Sequence, residues 1–358
     1  MRPRRRRRGR PFALALAAVL LAPVAWVIGL SLVEGHDLAA AWRAFRAPAP
    51  EPVATPLALA PAPYGPALHV GSLLDPELVE VSGLVASRRR GDVLWAVNDG
   101  GNTHRLHAHG LDGARLGAFD VAVPADPWWG RSDWEALAAF RHEGTPYLVI
   151  ADVGDNWSWR RSVRLWIVEE PDLAAAPAPL APRFAIDLVY ADGPHDCEAV
   201  AVDEAELTVL LVSKRTAPPV VYAASLAPLL RGGGGEVVAR PLAELALPPP
   251  STVAADALAP AMLHMPTALD LAPDGSAALV LSYTTGFRFP RHPGESWAEA
   301  FARPPEALPL PPLALAEAVA YVGDSLYVTS EADRLALVRW RAPLVRFDPL
   351  PAPPDTAR

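Results

Sequence analysis

Apolar and polar residues alternate along much of this chain, in short runs separated by turn-forming residues. Five runs open alike, with a small or acidic residue, then Ala or Gly, then alternating apolar positions. They are Ser82-Gly83-Leu84-Val85-Ala86, Glu135-Ala136-Leu137-Ala138-Ala139, Glu198-Ala199-Val200-Ala201-Val202, Thr267-Ala268-Leu269-Asp270-Leu271 and Glu317-Ala318-Val319-Ala320-Tyr321. Successive copies start 53, 63, 69 and 50 residues apart. Alternation with period two marks strands, and a repeat recurring at roughly 40–60 residues predicts an all-β fold, a β-propeller.

Each copy opens a four-stranded meander. The first unit predicts strands at 80–87, 93–98, 105–110 and 116–123, with Asp112-Gly113 as a tight turn. The second predicts 134–140, 147–152, 164–168 and 184–190, and the third 197–202, 208–213, 220–224 and 237–241. In the fourth, 267–271 and 277–282 flank Pro273-Asp274-Gly275, while Pro290, Pro293 and the Ala/Pro stretch 302–312 obscure its outer strands. The fifth has 316–322, 325–330 and 335–340 but no clean outer strand, because Pro349 and Pro351 follow. The alternating run 67–74 is expected to supply that strand and close the ring, leaving no open edge. Five blades are expected; a sixth would have to lie in 216–262 or 284–312.

The start of the chain is different. Residues 2–10 carry seven arginines and residues 11–33 carry no charge. Twenty-three residues at about 1.5 Å each span a bilayer core of about 30 Å, and the arginines hold the first ten residues in the cytoplasm. The expected order is a cytoplasmic segment (1–10), a transmembrane signal anchor (11–33), an Ala/Pro-rich linker (34–66), the propeller (67–347) and a tail (348–358). The protein is then a single-pass cell-membrane protein with an extracytoplasmic C-terminal domain. Ala39-Ala40-Ala41 offers the alternative of a cleaved signal peptide and a secreted or periplasmic product.

Charge narrows the partners. The formal net charge is −8, and without the seven arginines the body stands at −15. Such a body is not a nucleic-acid binder by phosphate neutralisation; it draws cations and basic partners. Cys197 is the only cysteine, so no intramolecular disulfide forms. Nearby carboxylates disfavour a Cys197 thiolate, which makes it a packing residue. No Gly-x-Ser-x-Gly elbow, Cys-x-x-Cys pair or His-Glu-x-x-His motif occurs, Gly232–Gly235 is not a phosphate loop, and no residue is assigned a catalytic role.

Meander geometry then places the polar residues. In antiparallel neighbours the start of the first strand lies beside the end of the second. Asp133, Glu135, Asp196, Glu198 and Glu317 stand at first-strand starts. Asn98-Asp99, Asp152 to Asn156, Ser213-Lys214-Arg215, Ser282-Tyr283-Thr284 and Ser330-Glu331 stand at second-strand ends. All are expected around one channel mouth. Asp133, Glu135, Glu198, Lys214, Arg215, Glu317 and Glu331 are the candidate ligand-binding set, for a small molecule or a protein. Two carboxylates about 6 Å apart repel by about 3 kcal/mol at an effective dielectric near 20, so such a ring needs protons, spacing or a cation. Oxygen donors suit Ca²⁺ or Mg²⁺, with Asp152, Asp155 and Asn156 as candidate ligands; the same residues also serve as ordinary turn formers. Lys214 is the only lysine in the chain. A second reading is a metal-dependent phosphoester hydrolase, with Glu135 or Glu198 as metal ligand or general base and Lys214 and Arg215 on the phosphate. Trp128, Trp129, Trp134, Trp157 and Trp159 cluster nearby and serve either a flat ligand or packing between blades.

The segments Glu80-Val81-Ser82-Gly83-Leu84, Leu94 to Asp99, Asp133-Trp134-Glu135, Gly154-Asp155-Asn156, Asp196-Cys197-Glu198-Ala199 and Gly323 to Glu331 occur in a particular order. Over about residues 75–340 the chain resembles bacterial extracytoplasmic β-propeller proteins of the WD40-like and esterase- or phytase-like kind. The resemblance implies a propeller with acidic motifs at one mouth and no particular reaction. Thr267 departs from the acidic start, and Ser282-Tyr283 stands where that family tends to carry Arg-Thr-Tyr.

Overall fold

The computed structural model describes residues 59–124, 132–175, 178–248, 262, 265–313, 315–331 and 341–351. The first unit folds as β2 (Val81–Ala86), β3 (Val93–Asn98), β4 (Arg105–Gly110) and β5 (Arg115–Asp120). The second is β6 (Trp134–His142), β7 (Thr145–Asp152), β8 (Val163–Glu169) and β9 (Phe184–Tyr190). The third is β10 (Cys197–Asp203), β11 (Thr208–Ser213), β12 (Val220–Ser225) and β13 (Gly235–Glu244), with a one-turn helix α1 (Ala227–Gly232) before its last strand. The fourth is β14 (Pro266–Leu271), β15 (Ala277–Ser282), β16 (Thr285–Pro290) and β17 (Glu306–Pro309), with α2 (Trp297–Phe301) before β17. The last joins β18 (Ala316–Val322), β19 (Ser325–Ser330) and β20 (Pro343–Phe347) to β1 (Leu68–Ser72) from the start of the described chain.

Within each unit the strands pair in chain order and antiparallel. β1 lies antiparallel on β20, from Leu68 opposite Arg346 to Ser72 opposite Pro343, so the run 67–74 supplies the outer strand expected of it. The outermost strands β9 and β13 pair in parallel, which fuses the second and third units into one eight-stranded sheet. The innermost strands β2, β6, β10, β14 and β18 each pack on the next, and β18 packs back on β2. This closed circuit is a β-propeller.

The core lies between neighbouring units rather than inside any one. Ala199 and Ala201 of β10 face the fourth unit with Leu269 and Leu271, while Val200 and Val202 face the second with Ala136 and Ala138. Innermost strands are buried on both faces, so their alternation sorts small from large side chains and not core from solvent. Inner strands approach closely at Gly83, where a Cβ would lie 2.7 Å from the Leu137 nitrogen and 2.8 Å from Val97 Cγ2.

The fourth unit holds the strands that proline hid. Pro290 and Pro309 end β16 and β17, and β17 is an edge strand, where a missing N–H is tolerated. Ser296 caps α2 with a reciprocal Glu299 capping box. Residues 59–66, expected in the linker, pack on the domain instead: Ala62 N–H donates to Ala307 O and Ala307 N–H to Ala60 O, both at 2.8 Å. The expected tail also begins inside the fold, since Leu350 N–H bonds Pro63 O at 2.9 Å. The anchor at 11–33, the strand at 335–340, Trp128 and Trp129 lie outside the described residues. Among the described residues no helix is long and apolar enough to cross a membrane.

A Gly83→Ala substitution is expected to cost about 1–3 kcal/mol, the range for overpacking a closed core. Chemical denaturation checks this; an unchanged midpoint means the β2–β6 contact has slack.

Candidate functional site

Every innermost pair is irregular at the same place. The register jumps between Val81 and Gly83, Trp134 and Ala136, Cys197 and Ala199, Pro266 and Ala268, and Ala316 and Ala318. The residue left without a partner is Ser82, Glu135, Glu198, Thr267 or Glu317, the opening residue of each sequence repeat. A β-bulge re-aims its extra side chain. Two of these positions hold hydroxyls that tie adjacent units: Ser82 Oγ donates to Glu135 O at 2.7 Å, and Thr267 Oγ1 to Ala316 O at 2.7 Å. The other three are carboxylates, with Glu135 4%, Glu198 6% and Glu317 7% exposed.

The strand ends complete the mouth. Lys214, after β11, donates to Glu198 Oε1 and lies 5.4 Å from the centroid of the Tyr283 ring. Carboxylate oxygens of Asp99, Asp133 and Glu135 lie within 4.8 Å of one another, and so do those of Glu80, Asp99 and Glu331. Gly100 and Gly154 admit the Asp133 side chain: a Cβ on them would meet its oxygens at 2.0 and 2.3 Å. Glu135 Oε2 accepts from Ser82 Oγ at 3.1 Å.

Burial, reinforced by the neighbouring acids, raises these groups above the carboxylate range. Asp99 is pushed up to about 7 by burial and by Asp133. Asp133 rises to about 6 through burial, against the pull of Arg160. Glu198 rises to about 7 through burial, with Lys214 opposing. Glu135 and Glu317 rise well above their usual value, from burial and then the charge of Glu198. Burial disfavours the Lys214 ammonium, but Glu198, Tyr283 and Glu317 outweigh it and raise its pKa. Asp133 and Glu135 converge with Asp99, Glu331 converges with Glu80 and Asp99, and Lys214 pairs with Glu198, while the charges of Glu198 and Lys214 act on Glu317.

The Asp152–Asn156 turn, the candidate metal-binding segment, is held by structural hydrogen bonds. Asp152 Oδ1 accepts from Arg160 Nη2 at 2.9 Å and Asp133 N–H at 2.8 Å. Asp155 accepts from the backbone of Trp159 and Arg160 at 3.0 and 2.9 Å, and Asn156 Oδ1 accepts from Arg215. Each of these side chains has a structural partner, whereas the carboxylate oxygens of Asp99, Asp133 and Glu135 converge on one another. Arg215 also donates to Asp196 Oδ2 at 2.6 Å. With Lys214 held by Glu198, both cations assigned to a phosphate are paired with protein groups. Burial pushes the Cys197 thiol up to about 12, in keeping with packing. Trp134 is buried and stacks on His104 at 4.8 Å, whereas Trp157 is 59% exposed beside Trp159. Sequence reasoning named Asp99 only as a strand-end residue and missed Glu80 and Arg160. Glu80 does sit in the first repeat, one residue before β2.

No known family model matches this sequence, and no curated protein matches it at the sequence level. Solved structures of similar fold include the PQQ-bound aldose sugar dehydrogenase from Streptomyces coelicolor, at 12% identity and a TM-score of 0.45 over 81% of this chain and 100% of that one. A luciferin-regenerating enzyme follows at 11% identity and 0.41, over 78% and 95%. A nidogen/laminin complex gives 13% and 0.39, over 71% and 73%. Such distant likeness transfers nothing about chemistry.

A group whose native pKa lies above its unfolded value stabilises the fold fully below the unfolded pKa and loses that contribution as pH rises through the native one. Glu317→Gln cannot ionise. In chelator it should therefore melt about 3–6 °C above the parent at pH 8, for a gain of about 1–2 kcal/mol, and match it near pH 4. An equal gap at both pH values would mean that charge is not the cause. Lys214→Met strands Glu198 and should cost about 3–5 kcal/mol, most of it recovered on adding Glu198→Gln; additive losses in urea unfolding would show that the two are not coupled.

Proposed function

We propose that this chain is a five-bladed, membrane-tethered extracytoplasmic propeller, and that its acidic mouth binds a ligand through a divalent cation, Ca²⁺ by preference. The supporting observation is the convergence of Asp99, Asp133 and Glu135 oxygens within 4.8 Å. The donors are all hard oxygens, which suits Ca²⁺ or Mg²⁺ over thiophilic or imidazole-seeking metals. A cation there relieves repulsion that Lys214 alone leaves standing. The tether rests on the seven arginines and the uncharged stretch 11–33, and the blade number on the circuit of inner strands β2, β6, β10, β14 and β18. A ligand with oxyanion or hydroxyl groups completes the coordination that three protein carboxylates leave open.

The test is a thermal melt of the full chain in detergent with and without Ca²⁺. At a hundredfold excess over Kd, stabilisation is about 2.7 kcal/mol, roughly 5–10 °C. Asp99→Asn combined with Glu135→Gln should remove it. An unmoved midpoint at millimolar Ca²⁺ and Mg²⁺ rejects the cation.

A further inference from the structure

We infer that the seam between the first and last units is an acid-sensitive clasp, in which protonation of His107 and His109 frees β1 and residues 73–78 from the first unit. At this seam the chain crosses from the closing strand into the first unit. The end of β1 lies against the Asp112-Gly113 turn: a Cβ on Gly71 would lie 1.9 Å from Asp112 O, and one on Gly113 2.1 Å from Ser72 O. Just past β1, Leu74 N–H donates to Gly113 O at 3.0 Å. Asp75 Oδ1 accepts from Glu77 N–H at 3.0 Å, and Oδ2 accepts from Arg115 Nε at 2.8 Å. Two imidazoles share these acceptors. His107 Nδ1 lies 2.9 Å from Asp75 Oδ2, and His109 Nδ1 lies 3.1 Å from Gly113 O.

The acceptors fix the tautomers. A carbonyl oxygen only accepts, so His109 Nδ1 carries its proton. Burial disfavours the Asp75 carboxylate, but hydrogen bonds from His107, Glu77 and Arg115 outweigh it and hold its pKa down to about 2. Ionised, Asp75 also only accepts, so His107 Nδ1 is protonated too. Each neutral ring then keeps a bare lone pair on Nε2. Both residues are 0% exposed, and both Nε2 atoms are buried without a hydrogen-bond partner.

A second proton has nowhere favourable to go. His107 stands opposite Ala96 and His109 opposite Leu94, which turns both rings toward the apolar layer where the first unit meets Leu73, Leu344 and Tyr327. Protonation places a charge and an unpaired N–H in that layer, a costly burial. The charges that act on the pair are Asp75 and Glu77 from the segment after β1, Arg105 of β4 and Arg115 of β5. His69 of β1 is exposed, and the last unit brings Tyr327. Asp75, the carboxylate bonded to His107, already serves Arg115. Burial accordingly holds both imidazoles below their ordinary value, and each ring charge disfavours the other.

The sign follows from linkage. A histidine lowered in the native state leaves stability intact above its unfolded value of about 6.5 and removes it as pH falls below that. The raised carboxylates of the mouth carry the opposite sign. β1 is the edge strand of its sheet, with β20 as its neighbour, so it can leave while the other ladders stay paired.

The experiment is hydrogen–deuterium exchange of the full chain in detergent and chelator, at pH 7.5 and 5.5, corrected for intrinsic rates. Protection of residues 68–78 should fall at least tenfold at pH 5.5, with a ceiling of about a hundredfold for one proton per ring, while β7 and β11 change by less than threefold. His107→Asn with His109→Asn keeps an N–H near each Nδ1 position and cannot titrate, so its protection at 68–78 should change by less than threefold. Each single variant should show an intermediate loss. Unchanged protection of 68–78 in the parent, or a loss spread evenly over all units, overturns the clasp. So does the parent's full response in the double variant or, where that variant fails to fold, in both single ones.

Discussion

One unpaired residue at the start of each innermost strand governs this molecule. The inner strands are packed on both faces by their neighbours, so a regular strand would send every side chain into a gap between units. The bulge adds a side chain that belongs to neither face. Ser82, Glu135, Glu198, Thr267 and Glu317 occupy those positions, which is why a polar residue can recur there without opening the core. The hydroxyls at two positions fasten one unit to the next. The carboxylates at the other three gather charge at one end of the ring.

The far ends of the strands show what buried acids look like when they only build structure. Glu170 accepts from Arg88 N–H at 2.9 Å, Arg89 N–H at 3.0 Å and Trp95 Nε1 at 2.9 Å, all in the adjacent unit. Asp203 receives Trp297 Nε1 at 2.7 Å and Arg291 Nη1 at 3.2 Å across another unit boundary. Asp270 takes the N–H groups of Leu271 and Tyr321 at 2.9 and 2.7 Å. Each has its partners in place, as buried polar groups of a settled fold do. The mouth acids instead crowd against one another, although Glu198 has Lys214 and Glu135 has Ser82 as partners. Their charge is under-compensated by one lysine, a destabilising arrangement of the kind that folds keep where it serves a site.

The repeat was readable because bulge geometry is encoded in three adjacent residues: a polar one to turn outward, a small one to let the next strand approach, and an apolar run. Gly83 and Ala136 show the middle requirement directly, packed backbone to backbone. The closing strand 67–74 was readable as an alternating run with no unit of its own. β16 and β17 were not, because Pro290 and Pro309 mimic loop signals while occupying strand ends. The Asp152–Asn156 turn has contacts that its local sequence does not reveal. Its composition suits a cation, but Arg160, only a few residues on, folds back to fill Asp152 and Gly154 O, at 2.9 and 2.8 Å. Local sequence cannot separate a side chain that points to solvent from one that returns. Asp99 was underrated because its partners come from three units, a convergence that only closure of the ring creates.

The fourth unit explains why the mouth is so poorly neutralised. Thr267 replaces the acidic residue there, which lightens the negative load by one. Tyr283 stands after β15, and its ring faces Lys214 at 5.4 Å. A tyrosine face stabilises an ammonium by about 0.5–2 kcal/mol and so helps keep Lys214 charged, but it brings no charge of its own. The fourth unit thus brings no acid at its opening position, and the acids that converge come from the first, second and last units around Asp99. Arg160 and Arg215 add positive charge from outside the cluster, pulling on Asp133 and Glu198 while paired with Asp152 and Asp196. The rest of the neutralisation there falls to protons or to ions from solution, and under the proposed cation binding the balance between the two sets the pH at which an ion is taken up.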